Sequence, residues 1–440
     1  MNLVRVSFTV YVLCALILSS PMNAMAQTTT SYGPILETLD SQIQNEMEDG
    51  TISSLQAGIV VNDSLIWAKG YGDQPELDTA YMIYSITKTF TATAYLQLSE
   101  QGLVDLDSDV SDYLSFEVRN PNDPDTVITP RLLLQHRAGM QVFYDFGIEW
   151  IDNSLLDWLN IHVGTDYELY QGTRPLLRDI INSTNINDPD LWLASSGTDM
   201  VYSQSGFFFL SFLLEKITNQ TYYEYIRENI LSPLGMDNTG FLVSEFGDSL
   251  ATPHGTLSNG TIPEYPHFNW YTYGAGSMRS TVLDLSKYLI AHMNGGISGG
   301  IRILESSSVD MMHSDELGWV KNNFVRQGHT GRYIGFTGDI RYSQYEGSVY
   351  GIILLVNRDA AINPDVDLDF GPSNAAFDSS YATIVSLLFQ ESLNMVRDTE
   401  STPTSTEPPS PSIEWIMIGG GIVVGSMIVI IIVLKKKAMI

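Results

Sequence analysis

Cysteine is almost missing from this sequence of 440 residues, because Cys14 is the only one. It lies in the apolar run Val10–Leu18, which is the pattern of a secretory signal peptide's core. If residues 1–26 are removed, the chain that starts at Gln27 has no thiol. A cysteine nucleophile, a disulfide and a thiolate metal site are then excluded.

Basic residues are also scarce. Lysine and arginine together number 22 against 51 aspartates and glutamates, which gives a net charge of −29. A chain this acidic is a poor partner for nucleic acids or anionic lipids. The 7 histidines show no metal-ligand spacing such as H-E-x-x-H. We therefore predict no nucleic-acid partner, no metal and no cofactor.

The two ends of the chain carry targeting signals. Arg5 precedes the N-terminal apolar run, and Ala24-Met25-Ala26 follows it as a small-x-small cleavage site. Near the other end, Trp415–Leu434 is an uncharged run of about 20 residues, long enough to cross a bilayer. Three lysines follow it directly, and the positive-inside rule places them in the cytoplasm.

These signals predict a single-pass protein of the cell membrane with its body outside the cytoplasm. The predicted segments are a signal peptide over 1–26, a stalk rich in proline, serine and threonine over 397–412, a membrane helix over 413–434 and a basic cytoplasmic tail over 435–440. A removable sorting signal is the alternative for the C-terminal segment.

The body between these ends, residues 31–396, predicts one α+β unit. An amphipathic helix is expected over Ser31–Gly50, and two β-rich runs form a hairpin across Asn62-Asp63. Helices and loops dominate the middle. The expected elements after it are strands at Val325–His329, Asp339–Ser343 and Gly347–Asn357, and a helix at Asn374–Val396. Strands from the two ends can pair in one antiparallel sheet covered by helices, beside a mostly helical lobe.

The stretch Tyr84-Ser85-Ile86-Thr87-Lys88 contains the one lysine of the body that follows a serine by three positions. Ser85 stands at the expected start of a helix that ends near Gly102, so Ser85 and Lys88 share a helix face. A desolvated amine beside a hydroxyl can take its proton, and the helix start offers free N–H groups to an anion. The alternative is an N-capping serine and a solvated lysine.

Two further segments bear on that choice. Tyr202-Ser203-Gln204 precedes the apolar run Phe207–Leu214, and Gly328-His329-Thr330-Gly331-Arg332 lies on a strand-like run. With Ser85 and Lys88, these segments resemble the S-x-x-K, Y-S-N and K/H-T-G motifs of the beta-lactamase-related serine hydrolases. That family groups class C beta-lactamases, D-alanyl-D-alanine peptidases and related esterases. Segments similar to the family's spacers occur in the same order, namely GLVDLDSDVSDYL, LLLQHRAGM, PLGMDNTGF and GAGSMRSTVLDLSKYL.

The resemblance covers roughly Ser31 to Met395 and implies the beta-lactamase/transpeptidase-like fold, an antiparallel sheet flanked by helices. It implies that Ser85 forms an acyl-enzyme and that Lys88 and Tyr202 share the proton transfers; which of the two is the base stays open. The backbone N–H groups of Ser85 and Arg332 would form the oxyanion hole. The residues implied to bind substrate are Gln204, His329, Thr330 and Gly331.

Two residues depart from the family's pattern. Gln204 replaces an asparagine and is one methylene longer, and catalytic geometry is sensitive to shifts of about 1 Å. His329 replaces the lysine of true beta-lactamases, so a fixed cation for a substrate carboxylate is missing. Arg332 could replace that cation if its side chain points into the site. We therefore expect esters or neutral-ended peptides to be better substrates than beta-lactams.

Three features are interpreted as structural or left open. Gly296-Ile297-Ser298-Gly299-Gly300 matches G-x-S-x-G, but it follows a helix and precedes a strand, so it indicates a turn. His136 is interpreted as a turn or core residue. The aromatic run Tyr265–Tyr273 could edge a substrate pocket or simply pack.

The sequence thus favours a membrane-anchored, extracytoplasmic serine hydrolase that cleaves an ester or amide in a small molecule or peptide. A D-amino-acid peptidase or a beta-lactamase proper is the alternative of the same class. A catalytically silent surface binding module is the alternative of another class. The sequence gives no indication of oligomeric state.

Overall fold

The structure, a computed structural model, describes residues 33–140, 152–162, 181, 186–197, 199–257, 261–321, 327–362 and 375–401. The predicted signal peptide, membrane helix and basic tail lie outside these ranges. So does all of the predicted stalk except residues 397–401. None of the helices within these ranges is long and apolar enough to cross a membrane.

The centre of the fold is an antiparallel sheet of six strands in the order β10-β11-β12-β13-β1-β2. Strand β1 (Ser54–Val61) comes from the start of the chain and β13 (Ser348–Val356) from near its end. They pair directly, with Leu55 opposite Val356 and Val61 opposite Tyr350. This is the predicted union of the two ends in one sheet. The remaining strands of the sheet are β2 (Ser64–Gly72), β10 (Val320–Lys321), β11 (Gln327–Tyr333) and β12 (Phe336–Tyr345).

Eight shorter strands form two-stranded pairs outside the central sheet. Their bounds are β3 Tyr81–Met82, β4 Arg119–Asn120, β5 Asp123–Val127, β6 His254–Leu257, β7 Arg279–Ser280, β8 Ile297–Ser298, β9 Ile301–Arg302 and β14 Arg358–Ile362. The β8–β9 hairpin contains the glycine-rich segment that matches G-x-S-x-G. Gly299 and Gly300 at its tip both have positive φ, as the predicted turn requires.

Helices cover both faces of the sheet. Their bounds are α1 Gly33–Gly50, α2 Thr87–Glu100, α3 Pro130–Leu134, α4 Asn153–His162, α5 Gln204–Thr218, α6 Tyr222–Ile226, α7 Ser232–Leu234, α8 Val282–Met293, α9 Ser306–Ser314 and α10 Ala375–Ser401. A π-helical turn, Arg227–Leu231, joins α6 to α7. Side-chain oxygens cap several N-termini, and Ser203 does so for α5 and Thr281 for α8.

The pleat of the strands divides the core into two layers. Along β1, Leu55, Ala57, Ile59 and Val61 pack with apolar residues of α1 and α10. Val60 belongs to the larger core on the other face, which contains residues of α2, α5 and α8. Every residue of β1 is buried because helices lie on both sides of it. The larger core holds α2, which carries Lys88 and directly follows the turn of Ser85, against the sheet.

Candidate active site

Ser85 lies in a short 3-10 turn, Tyr84–Ile86, that leads directly into α2. The serine therefore stands one turn before the α-helix, close to the helix start that the sequence predicts. Tyr84 has a left-handed φ of 43°, which is uncommon for a bulky residue. Such a conformation costs about 1–3 kcal/mol and persists only where the surroundings enforce it.

Aromatic packing enforces the conformation of Tyr84. Its ring lies edge-on to Trp270 and Tyr333, with centroid distances of 5.3 and 5.6 Å. Trp270 and Tyr333 stack on each other at 4.8 Å, and the Tyr84 hydroxyl donates to the carbonyl of Ile334. Trp270 is only 3% exposed, so this part of the aromatic run Tyr265–Tyr273 packs beneath the serine turn. The packing interpretation of the run holds at this position.

Lys88 is fully buried and points at the serine. Its Nζ lies 3.0 Å from Ser85 Oγ and 2.6 Å from the carbonyl oxygen of Ala275. The rings of Tyr202 and Phe207 lie 5.1 and 5.7 Å from the same nitrogen. Lys88 forms no ion pair with any residue the structure describes. Burial without a carboxylate lowers the pKa of Lys88 to about 7, so the neutral amine is well populated near neutral pH.

Tyr202 joins this pair from a distant part of the chain. It precedes the N-cap of α5, and its hydroxyl is hydrogen-bonded to Ser85. Burial raises the pKa of Tyr202 to about 12, so the phenol is neutral at physiological pH. The structure therefore brings together Ser85, Lys88 and Tyr202, the three residues that the sequence motifs single out.

Strand β11 passes directly beside Ser85 at Gly331. A Cβ atom on Gly331 would lie 1.9 Å from the Ile83 carbonyl oxygen and 3.0 Å from the Ser85 backbone nitrogen. Real Cβ atoms do not make such contacts, so only glycine fits here without movement. The pairing of β10 with β11 involves only Gln327 and Gly328. The part of β11 nearest Ser85 is thus left to pack against the serine turn.

His329 lies two residues before Gly331 on the same strand. Its Nδ1 is 2.8 Å from the Thr330 carbonyl, which can only accept, so Nδ1 carries the proton and Nε2 has a free lone pair. Burial, helped by the charge of Lys88, lowers the pKa of His329 to about 3. The ring is therefore neutral, and its centroid is 6.3 Å from that of Tyr202.

Thr330 and Arg332 lie on the opposite face of β11 because side chains alternate along a strand. Arg332 pairs with Asp359 and, at 2.7 Å, with Asp378 of α10. The suggestion that its side chain supplies the missing cation of the site is therefore wrong. The Thr330 hydroxyl donates to Asp339 and accepts from Arg341 at 2.6 Å, so any contact of Thr330 with a substrate would come from its backbone.

Gln204 is the first residue of α5 and is partly buried two positions after Tyr202. Its side-chain amide makes no hydrogen bond to any residue that the structure describes. A role of this amide in substrate binding, and the oxyanion hole formed by the N–H groups of Ser85 and Arg332, stay predictions from the resemblance.

Two residues reach the site that sequence reasoning did not assign to it. The Ala275 carbonyl accepts from Lys88, and only the likeness of GAGSMRSTVLDLSKYL to a family spacer pointed to this segment. The ring of His136 lies 4.4 Å from that of Tyr202, and its Nδ1 accepts from the Ser203 backbone N–H at 3.0 Å. His136 is in a turn with φ 57°, as interpreted from the sequence, but the turn borders the site.

Comparison with known proteins agrees with this architecture. A family model described as "Beta-lactamase" matches residues 39–371. "Beta-lactamase-like protein 2" of Dictyostelium discoideum is 30% identical over 274 residues, which is 58% of this chain and 45% of that protein. The chain thus spans about half the length of this relative, and the activity of the whole relative does not transfer with the match.

Two solved structures share the fold. The octameric penicillin-binding protein homologue from Pyrococcus abyssi superposes with a TM-score of 0.61 at 23% identity, covering 82% of this chain and 77% of that one. The D-amino acid amidase from Ochrobactrum anthropi SV3 gives 0.58 at 19% identity, covering 82% and 99%. At these identities, the likeness establishes the fold alone.

Proposed function

The chain belongs to the beta-lactamase family, and on that basis we propose that it is a serine hydrolase that cleaves an ester or amide through a Ser85 acyl-enzyme. The observation that carries this proposal is the contact of 3.0 Å between Ser85 Oγ and the fully buried Nζ of Lys88. An amine with a pKa of about 7 can hold the serine proton at neutral pH.

The reaction proceeds in two halves. Neutral Lys88 takes the proton of Ser85, and Oγ attacks the carbonyl carbon of the substrate. The negative oxygen formed there is held by the backbone N–H groups of Ser85 and Arg332. The bond to the leaving alcohol or amine then breaks, and the leaving group takes a proton from Lys88 or Tyr202. Water attacks the acyl-enzyme in the second half, which releases the acid and returns the proton to Ser85.

We propose that the preferred substrate lacks a carboxylate next to the scissile bond. The site carries a neutral His329 where a beta-lactamase carries a lysine. The two arginines of β11 and β12 are held elsewhere, Arg332 by Asp359 and Asp378 and Arg341 by Asp339. A substrate carboxylate would lose its hydration without gaining a cation from these strands. Esters and neutral-ended amides suit such a site better than beta-lactams.

We also propose that the hydrolase is attached to the membrane by a C-terminal anchor and that its catalytic body lies outside the cytoplasm. The signal-like N-terminus and the apolar segment over 413–434 support this. Fractionation of cells that express the full chain or a chain ending at Ser412 tests the anchor. The full chain should stay with the membrane pellet after an alkaline carbonate wash, and the shortened one should be released. Release of both would refute the anchor.

The test of the chemistry is intact mass after reaction of the full chain with a fluorophosphonate probe. Wild type should gain one adduct, and Ser85→Ala should gain none. Ser205→Ala is the matched control, because it removes a buried hydroxyl near the site and outside the trio, and it should still be labelled. If folded wild type gains no adduct, the alternative of a catalytically silent binding module is favoured. The presence of Gln204 where the family has an asparagine leaves that alternative open.

The substrate proposal has its own comparison. A p-nitrophenyl ester should show a higher kcat/KM than nitrocefin, which carries a carboxylate beside its reactive amide. Acetyl-D-Ala-D-Ala and its C-terminal amide form a matched pair, and the amide should be cleaved faster. A clear preference for nitrocefin and for the peptide with the free carboxylate would contradict the proposal that the site has no cation to bind a substrate carboxylate.

A further inference from the structure

His136 occupies an unusual turn directly after α3. Its φ of 57° lies in the left-handed region, which residues other than glycine adopt infrequently, although histidine, asparagine and aspartate do so more often than most. The side chain is buried, at 5% exposure. The imidazole of this turn is therefore directed into the interior of the protein.

The carbonyl and the ring of His136 contact the segment around Tyr202, and the ring also lies 4.9 Å from that of Phe207 in α5. The His136 carbonyl accepts from the Val201 N–H at 2.8 Å, and its ring Nδ1 accepts from the Ser203 N–H at 3.0 Å. These two amides flank Tyr202 on either side. The imidazole also lies against the tyrosine ring, with centroids 4.4 Å apart and planes inclined by 30°. His136 therefore bonds the backbone on both sides of Tyr202 and packs against one face of its ring.

The same contacts define the form of the imidazole. Because Nδ1 accepts a hydrogen bond, the proton of the neutral ring must be on Nε2. A protonated ring would present an N–H to the Ser203 N–H and lose this bond. Burial, together with the charge of Lys88, holds the pKa of His136 well below its usual value, so the ring stays neutral. The Ser203 hydroxyl in turn accepts from the Gly206 N–H, which ties the segment to the start of α5.

We propose that His136 is a positioning residue that aligns Tyr202 with Ser85 and Lys88; this inference rests on the proposed function. Tyr202 reaches Ser85 from a segment outside any helix or strand, and Ser203 N-caps the helix that follows. Without a clamp, the phenol could shift relative to the serine. A displacement of about 1 Å in a catalytic group can lower the rate by about 100-fold.

Three substitutions separate the contribution of the His136 ring from that of its acceptor nitrogen. His136→Ala removes the ring. His136→Asn keeps an acceptor near the position of Nδ1 and tolerates the left-handed turn, so this variant should fold. His136→Phe keeps an aromatic ring but has no acceptor. His313→Phe is the control, since it removes a buried imidazole from a separate cluster with Trp319 and Tyr342.

The fluorophosphonate labelling rate and the steady-state constants of a neutral ester would be measured for each full-length variant. We expect His136→Ala to lower the labelling rate and kcat by about 100-fold with KM changed less than about threefold. His136→Asn should recover about tenfold of that loss, and His136→Phe should recover little. His313→Phe should stay within about twofold of wild type per folded molecule. Labelling of folded His136→Ala within about twofold of wild type would overturn the inference.

Hydrogen exchange provides a readout that does not depend on activity. The amides of Val201 and Ser203 should exchange faster in His136→Ala than in wild type, and the Ser203 amide should be partly protected again in His136→Asn. If both amides exchange at unchanged rates in His136→Ala, the inference that His136 holds the segment around Tyr202 is overturned, even if activity falls. If wild type itself is not labelled by the probe, the proposed function fails, and the exchange data still decide whether His136 holds the segment.

Discussion

At the scale of single residues, the candidate site is built around a buried amine that has no counter-ion among the described residues. Lys88 has Ser85 Oγ and the Ala275 carbonyl as hydrogen-bond partners and aromatic rings around it. Desolvation lowers the pKa of Lys88 to about 7 and raises that of Tyr202 to about 12. At neutral pH the lysine is therefore the stronger candidate for the base, and Tyr202 is a neutral phenol that can pass a proton on.

This assignment predicts the pH dependence of acylation. Lys88 must be neutral to accept the proton, so the labelling rate should rise as pH rises through about 7 and level off about one unit above. A Tyr202→Phe variant separates the two candidate bases. It should react more slowly than wild type but keep the midpoint near 7. The loss of this midpoint in Tyr202→Phe would identify the tyrosine, not the lysine, as the base.

Ser85, Lys88 and Tyr202 could be named from the sequence because their segments resemble three motifs of a known family, and the structure places the three side chains together. It could not give the direction of the Arg332 side chain. That direction depends on the phase of the pleat in β11, and the phase is set by pairing with β12 and not by local residues. The sequence also could not predict that His136 lies beside Tyr202, because the two residues are distant in the chain.

At the scale of elements, β11 connects the active site to the C-terminal helix. One face of the strand presents Gly331 to the serine turn, and the other presents Arg332 to Asp359 and to Asp378 of α10. The helix at the end of the body therefore braces the strand that borders Ser85.

The two ion pairs of Arg332 should contribute unequally. The Asp359 side chain is 4% exposed and that of Asp378 is 46% exposed. Arg332→Met leaves a buried carboxylate without its arginine and should lower the free energy of unfolding by about 3 kcal/mol. Asp378→Asn removes a solvent-screened pair and should cost less than about 1 kcal/mol. Urea titration of both variants checks this, and equal losses would mean that burial does not decide the contribution.

Element positions were predictable where the periodicity was strong. The first helix, the first hairpin and the three late strands lie within a few residues of their predicted bounds. Of the predicted strand Val325–His329, residues 325 and 326 lie outside the described residues, and the described strand Gln327–Tyr333 extends four residues beyond the predicted end. Glycines at 328 and 331 weaken the β-pattern, and the strand continues past them because β12 pairs with it along its whole length.

At the scale of the whole molecule, acid should destabilise the fold through buried histidines. His292 and His313 pack together with Trp319, with ring centroids 5.5 Å apart, and both rings are buried. Burial lowers the pKa of His313 to about 3 and holds that of His292 well below its usual value. The unfolded chain binds the proton of His313 near pH 6.5 and the folded chain only near pH 3, so stability is lost as pH falls between these values.

His313→Phe isolates this effect from the titration of carboxylates. Each pH unit below 6.5 should cost wild type about 1.4 kcal/mol more than the variant, until the pKa of the folded state is reached. Denaturant unfolding at several pH values between 4 and 7 provides the comparison. Parallel pH profiles for the two proteins would show that His313 is not buried in its neutral form.

The pairing of β1 with β13 has a consequence for biosynthesis. Val61 lies opposite Tyr350, so a ribosome completes most of the body before the central sheet can close. Until then β1, which is apolar and buried along its whole length in the finished protein, has no permanent neighbour on one side. Contacts this distant in sequence form slowly. Until its last strand is made, the sheet of such a chain stays open, and the exposed apolar edge of its first strand is a site for aggregation.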